Sequence, residues 1–331
     1  MIRHYFLSVA IGVVFLATAV PCRAWNSTGH ETVAQIAYDT MPPEARAKIV
    51  AALKNHPRYE KDLLANLATG EDPDRAAFIR AATWPDMVRS PENPLNRTDN
   101  HPVWHYVDYP YELDGVIGDP VAEQWDGKSD PANLIQAMQK MRKELADPQT
   151  PPARIAIDLC WVEHLVGDIH QPLHAVSMYS KEYPRGDRGG NDEIIGNPGD
   201  LGNPGDMMNQ SPMLALHTLW DDIEGLSLDP AVIRKLADRI EKEHPADSMK
   251  DQIAELDVTA WAKESLALAR TKVYLNGTLP HSVRVPGGPF PDDAPPLPAG
   301  YEDAARAVAD QRIALAGYRL AAVLEEIAKQ L

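Results

Sequence analysis

Apolar positions recur at helical rather than strand spacing along most of this chain. In residues 28–39 (T-G-H-E-T-V-A-Q-I-A-Y-D), Val33, Ile36 and Ala37 share one face behind a Ser27/Thr28 cap, which predicts a helix. Pro43 opens a second helix carried by Ala45, Ile49 and Leu53. Residues 134–145, 154–166 and 261–273 keep the same period. The longest pattern, residues 302–331, sets Ala305, Val308, Ile313, Ala316, Leu320 and Leu324 on roughly one stripe. Alternation, the mark of a half-buried strand, is scarce, and residues 104–107 are the short candidate. Residues 181–212 and 276–300 are loops by their Gly, Pro, Asn and Asp content, the first interrupting a run of candidate ligands. With no internal repeat and no linker, the expectation is one all-α domain.

The start of the chain follows a different pattern. Residues 6–20 are an almost unbroken apolar run of 15, preceded by Arg3 and His4 and followed by Pro21 and Cys22-Arg23-Ala24. Cationic start, short apolar run and small residues before Trp25 predict a secretory signal peptide over residues 1–24. The run falls short of the roughly 20 residues that a spanning helix needs. Cleavage after Ala24 leaves 307 of the 331 residues, an expected domain of residues 25–331 that is periplasmic or secreted. It also strips two cations, Arg3 and Arg23, and no acid, so the net charge moves from −16 to −18. Cys160 is then alone and no internal disulfide can form, which favours a bacterial source. So acidic a chain meets a polyanion poorly unless fixed cations, such as metal ions, stand in its site.

Candidate chemistry supplies such cations. In His164-Leu-Val-Gly-Asp168, a His and an Asp four apart stand on one helical face and can grip one ion together. The spacing recurs in His217-Thr-Leu-Trp-Asp221. His174 lies ten residues past His164, about 280° around a straight helix and so off the shared face. Gln171-Pro172 is where that helix should break, which frees His174 to face another ion. Imidazole plus carboxylate without thiolate suits zinc.

Six motifs in order carry a resemblance. They are W-x-x-x-G-H from Trp25 to His30, W-x-D ending at Asp86, H-Y-V-D from His105, H-x-x-G-D-x-x-Q-P-L-H from His164 to His174, G-G-N-D from Gly189, and L-H-x-x-W-D ending at Asp221. Together they resemble the zinc-dependent single-strand nucleases of the S1/P1 type, and Trp261-Ala-Lys-Glu-Ser265 and Gly317-Tyr-Arg-Leu320 look similar too. The resemblance implies three zinc ions. Asp86, His105, His164 and Asp168 would hold one, and the α-amine and carbonyl of Trp25, with His30 and a bridging Asp168, its neighbour. His174, His217 and Asp221 would hold the third. It also implies Arg89 beside the scissile phosphate, with Asp86 as the second catalytic residue. Tyr106 would be a stacking face, Asp108 an acceptor on a base edge, and Asn191 its neighbour, although Tyr106 stands where family members carry Phe.

Stacking and edge contacts require an unpaired base. The implied activity is therefore hydrolysis of single-stranded DNA and RNA to 5′-phosphorylated products by a metal-activated hydroxide, with 3′-nucleotidase action on mononucleotides. A monomer without stable membrane association is expected. The rival is a zinc-dependent phospholipase C on phospholipid head groups, a family that shares the fold. It spaces the terminal Trp farther from the first His than here, and uses Glu where this chain has Asp221. The other positions have plainer expectations: His170 structural, Cys160 core, His56, His101, His244 and His281 solvated, and Trp84 and Trp220 walling the site.

Overall fold

Proline and side-chain caps start most of the helices in the structure, a computed structural model that describes residues 25–65, 67, 69–199 and 211–331. The expected signal peptide and the tip of the 181–212 loop lie outside the described residues. Helix α1 (Ser27–Thr40) is capped by Asn26, one residue earlier than expected, whose side chain accepts from the Gly29 amide. Proline is in the first turn of α2 (Pro43–Leu53), α3 (Pro73–Ala81) and the single turn α4 (Trp84–Met87). After the short α5 (Asn96–Asp99), Asn133 caps α6 (Leu134–Ala146) and Pro152 opens α7 (Pro152–His170). The short α8 (Leu216–Asp221) follows, then α9 (Pro230–Glu243) behind an Asp229 cap, the brief α10 (Lys250–Ile253), α11 (Val258–Leu268) behind Asp257, and α12 (Tyr301–Ala328). The all-α expectation holds.

Strands are confined to loops. β1 (Pro110–Glu112) pairs in parallel with β2 (Ser177–Tyr179), while β3 (Glu193–Gly196) pairs antiparallel with β4 (Met213–Ala215) and β5 (Ser282–Val283). The strand expected at residues 104–107 is not one: Pro102–His105 is a 3-10 turn that leads into extended chain. Its backbone groups are committed elsewhere, since the Val107 amide donates to the His174 carbonyl (2.8 Å) and the Tyr106 carbonyl accepts from Leu134 (2.9 Å). Residues expected as plain loop supply β3 and β5 instead, and β4 follows directly on the first of those loops.

Helix α7 is the axis of the core. Every residue from Ala156 to His170 is buried, so the helix has no solvent face and packs on α2, α6, α11 and α12. Its buried polar residues, Asp158, Glu163, His164, Asp168 and His170, therefore need partners inside the protein. His170 finds them in α12: its Nδ1 donates to the Val166 carbonyl (2.7 Å) and its Nε2 accepts from Arg319 (2.9 Å). Arg312 adds bonds to the His170 carbonyl and to Ser265, and both arginines pair with Glu264. This network joins the two late motifs of the sequence and bears out the structural role expected of His170.

The other histidines are less solvated than expected. His56 is buried edge-on to Trp84 at 4.8 Å, its Nδ1 accepts from the Arg58 amide, and burial pushes its pKa down to about 4. His101 stacks on Trp104 at 3.6 Å, His281 sits 3.4 Å from Glu182, and His244 is half-buried. Aromatic and acidic neighbours brought in by the fold, which spacing along the chain does not reveal, account for the difference. Trp84 and Trp220 are fully buried, with their indole N–H groups on Asp62 and Tyr301, so they back the site rather than wall it.

Helices α1 and α12 cross at Gly317. A Cβ there would lie 2.5 Å from Ile36 Cγ2 and 3.1 Å from the Val33 carbonyl oxygen, so only glycine permits this approach. Gly317→Ala is expected to destabilise the protein by about 1–3 kcal/mol, the usual effect of overpacking. Urea unfolding checks this, and an unchanged midpoint would show that the crossing tolerates separation.

Candidate metal centre

Five segments converge on one end of α7. His164 and Asp168 lie four apart on that helix; α1 brings His30, α4 Asp86, and the 3-10 turn brings His105. Helix α7 stops at His170, as Gln171-Pro172 predicts, and the following turn (Pro172–Ala175) aims His174 at His217 and Asp221 of α8.

The potential ligand atoms form three groups, each with its atoms within 4.8 Å of one another: His30, His164 and Asp168; Asp86, His105 and His164; His174, His217 and Asp221. His164 belongs to the first two. Asp168 lies between them, with Oδ1 3.2 Å from His30 Nε2 and Oδ2 3.1 Å from His105 Nδ1 and 3.2 Å from His164 Nε2. In the third group the Nε2 atoms of His174 and His217 are 3.2 Å apart, and that of His217 is 3.3 Å from Asp221.

Hydrogen bonds from the opposite ring nitrogens decide what these atoms can do. His164 Nδ1 lies 2.7 Å from the Ala82 carbonyl, His174 Nδ1 2.7 Å from that of His105, and His217 Nδ1 2.6 Å from that of Gly189. A carbonyl only accepts, so each Nδ1 carries the proton and each neutral imidazole turns an acceptor Nε2 inward. In the first two groups burial favours the neutral ring, lowering the pKa of His30, lowering His105 well below the usual range and taking His164 to about 4. It also pushes the Asp168 carboxyl up to about 7, against the pull of His30. Acceptor nitrogens thus face one another beside carboxylates, and Asp168 Oδ1 is buried with no hydrogen-bond partner among the described residues. Cations resolve that conflict, so the donor set fits metal ions.

A pinned loop supports the third group. Asp187 is fully buried, and its carboxylate accepts from the amides of Met178, Gly189 and Gly190 and from the Tyr274 hydroxyl. Gly189 has φ +60 and room for no Cβ, which would lie 2.5 Å from the Leu173 carbonyl oxygen. Gln171 donates to Asp221 (2.7 Å) and accepts from the Leu173 amide, so it fixes both the ligand and the turn. Sequence reasoning missed Asp187 and Gln171. The signal for Gln171 was its place before Pro-Leu-His inside a quoted motif, and for Asp187 its place two residues ahead of Gly-Gly-Asn.

The expected substrate residues also meet. Tyr106, Asp108 and Asn191 line a cavity of about 100 Å³ together with Leu173, Arg188 and the candidate ligand His217. Asp108 stands at its exposed mouth, where the crowding walls and then the negative Asp187 push its carboxyl up. Arg89 is half-buried and pairs with Asp86 at 3.0 Å. Trp25 is buried at the foot of α1, and the next amide, of Asn26, donates to the Asp221 carbonyl (3.1 Å). A larger cavity of about 440 Å³ between α1, α3 and α9 contains none of the three ligand groups, and its Arg80 pairs with Glu71. Chemistry, not volume, places the site.

A helical protein with three imidazole–carboxylate sets, one of which borders a small cavity through His217, is a metal-dependent protein. This chain belongs to the S1/P1 nuclease family, whose sequence profile, S1/P1 Nuclease, matches residues 25–329. It is similar to Endonuclease 4 of Arabidopsis thaliana, 26% identical over 350 aligned positions that cover 98% of this chain and 95% of that protein. It is also similar to Nuclease S1 of Aspergillus oryzae, 27% identical over 339 positions covering 97% of each chain. Membership makes the protein a hydrolase, a nuclease acting on nucleic acid, and favours that reading over the phospholipase.

Gly167 offers a test of the first group, because a Cβ there would lie 2.7 Å from His30 Nδ1. Gly167→Ala should push the His30 ring aside and weaken one bound ion roughly 10- to 100-fold, the scale of supporting-contact losses at metal sites. Chelator competition measures this. Unchanged affinity of every ion would show that His30 is not a ligand.

Proposed function

We propose that the protein is an exported, three-zinc phosphodiesterase that hydrolyses single-stranded DNA and RNA to 5′-phosphorylated products and also removes phosphate from 3′-mononucleotides. The observation that carries this reading is the inward-facing acceptor array beside a cavity lined by Tyr106, Asp108 and Asn191. Asp86, His105, His164 and Asp168 would hold one zinc, His30 and Asp168 with the Trp25 amine and carbonyl its neighbour, and His174, His217 and Asp221 the third. Imidazole and carboxylate donors without thiolate support zinc over softer or harder ions. When bound, such ions supply Lewis acidity and lower the pKa of water.

The chain's own residues do the rest. Arg89 offsets charge on the phosphoryl oxygens as water adds to phosphorus and the P–O3′ bond breaks, and Asp86 holds that guanidinium at 3.0 Å. The P–O3′ cleavage leaves a 5′-phosphate and a 3′-hydroxyl. Tyr106, Asp108 and Asn191 receive a base in a cavity that a stacked, paired base cannot enter, which is the basis of the single-strand preference. The proposed enzyme, with a net charge of −18 once residues 1–24 are gone, is a monomeric periplasmic or secreted protein that draws phosphate locally, by its metal centre and Arg89, and no described helix is long and apolar enough to cross a membrane. Trp25 links export to activity: its nitrogen is an amide in the precursor and becomes a free amine only after cleavage behind Ala24.

The test uses zinc-loaded protein beginning at Trp25, with a single-stranded oligonucleotide, with and without chelator, and product ends read by mass. Chelator-sensitive release of 5′-phosphorylated fragments is expected, and a form with one extra residue ahead of Trp25 should lose zinc and activity together. No cleavage by protein that holds three zinc ions would refute the nuclease. Full zinc and activity in the extended form would refute the role of the amine.

A further inference from the structure

Arg188 occupies a position that its own backbone argues against. Its φ is +60, in the left-handed region, and it is followed by Gly189 and Gly190, which are also left-handed. Glycine would adopt that conformation without strain, whereas a long side chain there is uncommon and points to a use for the side chain. Arg188 lines the same small cavity as Asp108, Asn191 and Tyr106. Its Nη1 rests 3.4 Å from Asp192, whose side chain is buried, a long contact that orients the guanidinium without using up its five donors. The side chain is 41% exposed, so a substitution there leaves the core intact.

The lining of the cavity therefore brings a fork of donors, Arg188, together with an acidic group, Asp108, the Tyr106 ring and Leu173. Guanine alone among the bases carries two adjacent acceptors, O6 and N7, on one edge and a pair of donors, N1–H and the N2 amine, on another. Arg is the usual bidentate partner of O6 and N7. Adenine would turn its N6 amine toward the guanidinium, donor against donor. Pyrimidines have no N7. We propose that Arg188, in one cavity with Asp108, makes it a guanine-selective base site, so that the enzyme prefers substrates with guanine at the cleaved nucleotide. The inference rests on the nuclease reading of the site and adds the base that it selects.

Two readouts separate this inference from that reading. Zinc-loaded protein is titrated by calorimetry with guanosine and adenosine 5′-monophosphate, and kcat/KM is measured on guanine and adenine 3′-mononucleotides and matched oligonucleotides. Guanine should be favoured on the order of tenfold or more in both. In Arg188→Gln the ratio should collapse toward one, through KM rather than kcat, and Arg188→Lys should restore part of it. Equal binding of both nucleotides by the unaltered protein, or a guanine preference that survives Arg188→Gln, would overturn the assignment. Guanine-selective binding without turnover of any substrate would uphold the base site and refute the nuclease reading instead.

Discussion

The structure depends on one constraint: acceptor groups brought together inside a helical core must be reconciled by positive charge. Asp168 has no solvent exposure, and His30, His105 and His164 crowd its two oxygens at 3.1–3.2 Å. Burial holds the rings neutral, so they are not countercharges. Without cations a fully buried carboxylate would have only neutral imidazoles against it, His164 turning an acceptor nitrogen toward it, an arrangement that proteins avoid. With them the same residues would cross-link α1, α4, the His105 turn and α7. Folding and metal binding are then one process.

The surrounding contacts follow from that constraint. Carbonyls of Ala82, His105 and Gly189 take the outward ring protons, so each imidazole presents one fixed nitrogen. Asp187 pins the loop that supplies Gly189, and Gln171 holds Asp221 from the other side. Farther out, Arg312 and Arg319 of α12 lock the end of α7 through His170 and Glu264. Cys160 is buried and unbonded, so no disulfide takes part among the described residues. The same loop that holds the candidate ligand His217 also carries Arg188 and Asn191 into the cavity, so the proposed base site shares its support with the candidate metal centre.

Much of this was legible in the sequence, for physical reasons that also mark where legibility ends. The stripe over residues 302–331 became α12 (Tyr301–Ala328), and residues 134–145 became α6 almost unchanged, because an apolar face at 3.6-residue spacing admits little else. The ligand pairs His164/Asp168 and His217/Asp221 were readable because both members sit on one helix, and His174 because Pro172 ends α7. The carbonyls that fix the rings have no residue signature. The three-residue strands are too short to alternate, and at residues 104–107 an apolar run bounded by Pro102 gave a turn whose amides serve other loops. His56 looked solvated because the tryptophan that buries it lies 28 positions away in the chain.

The most direct measurement is the number of metal ions carried by the folded chain beginning at Trp25, counted by native mass, together with its thermal midpoint before and after stripping. Three ions and a fall of about 10 °C or more on their removal are predicted, because ligand sets that bind only the folded state stabilise it by mass action. A stripped protein that keeps its midpoint and its helical content would contradict the account, since the inward-facing acceptors would then be reconciled by something other than metal.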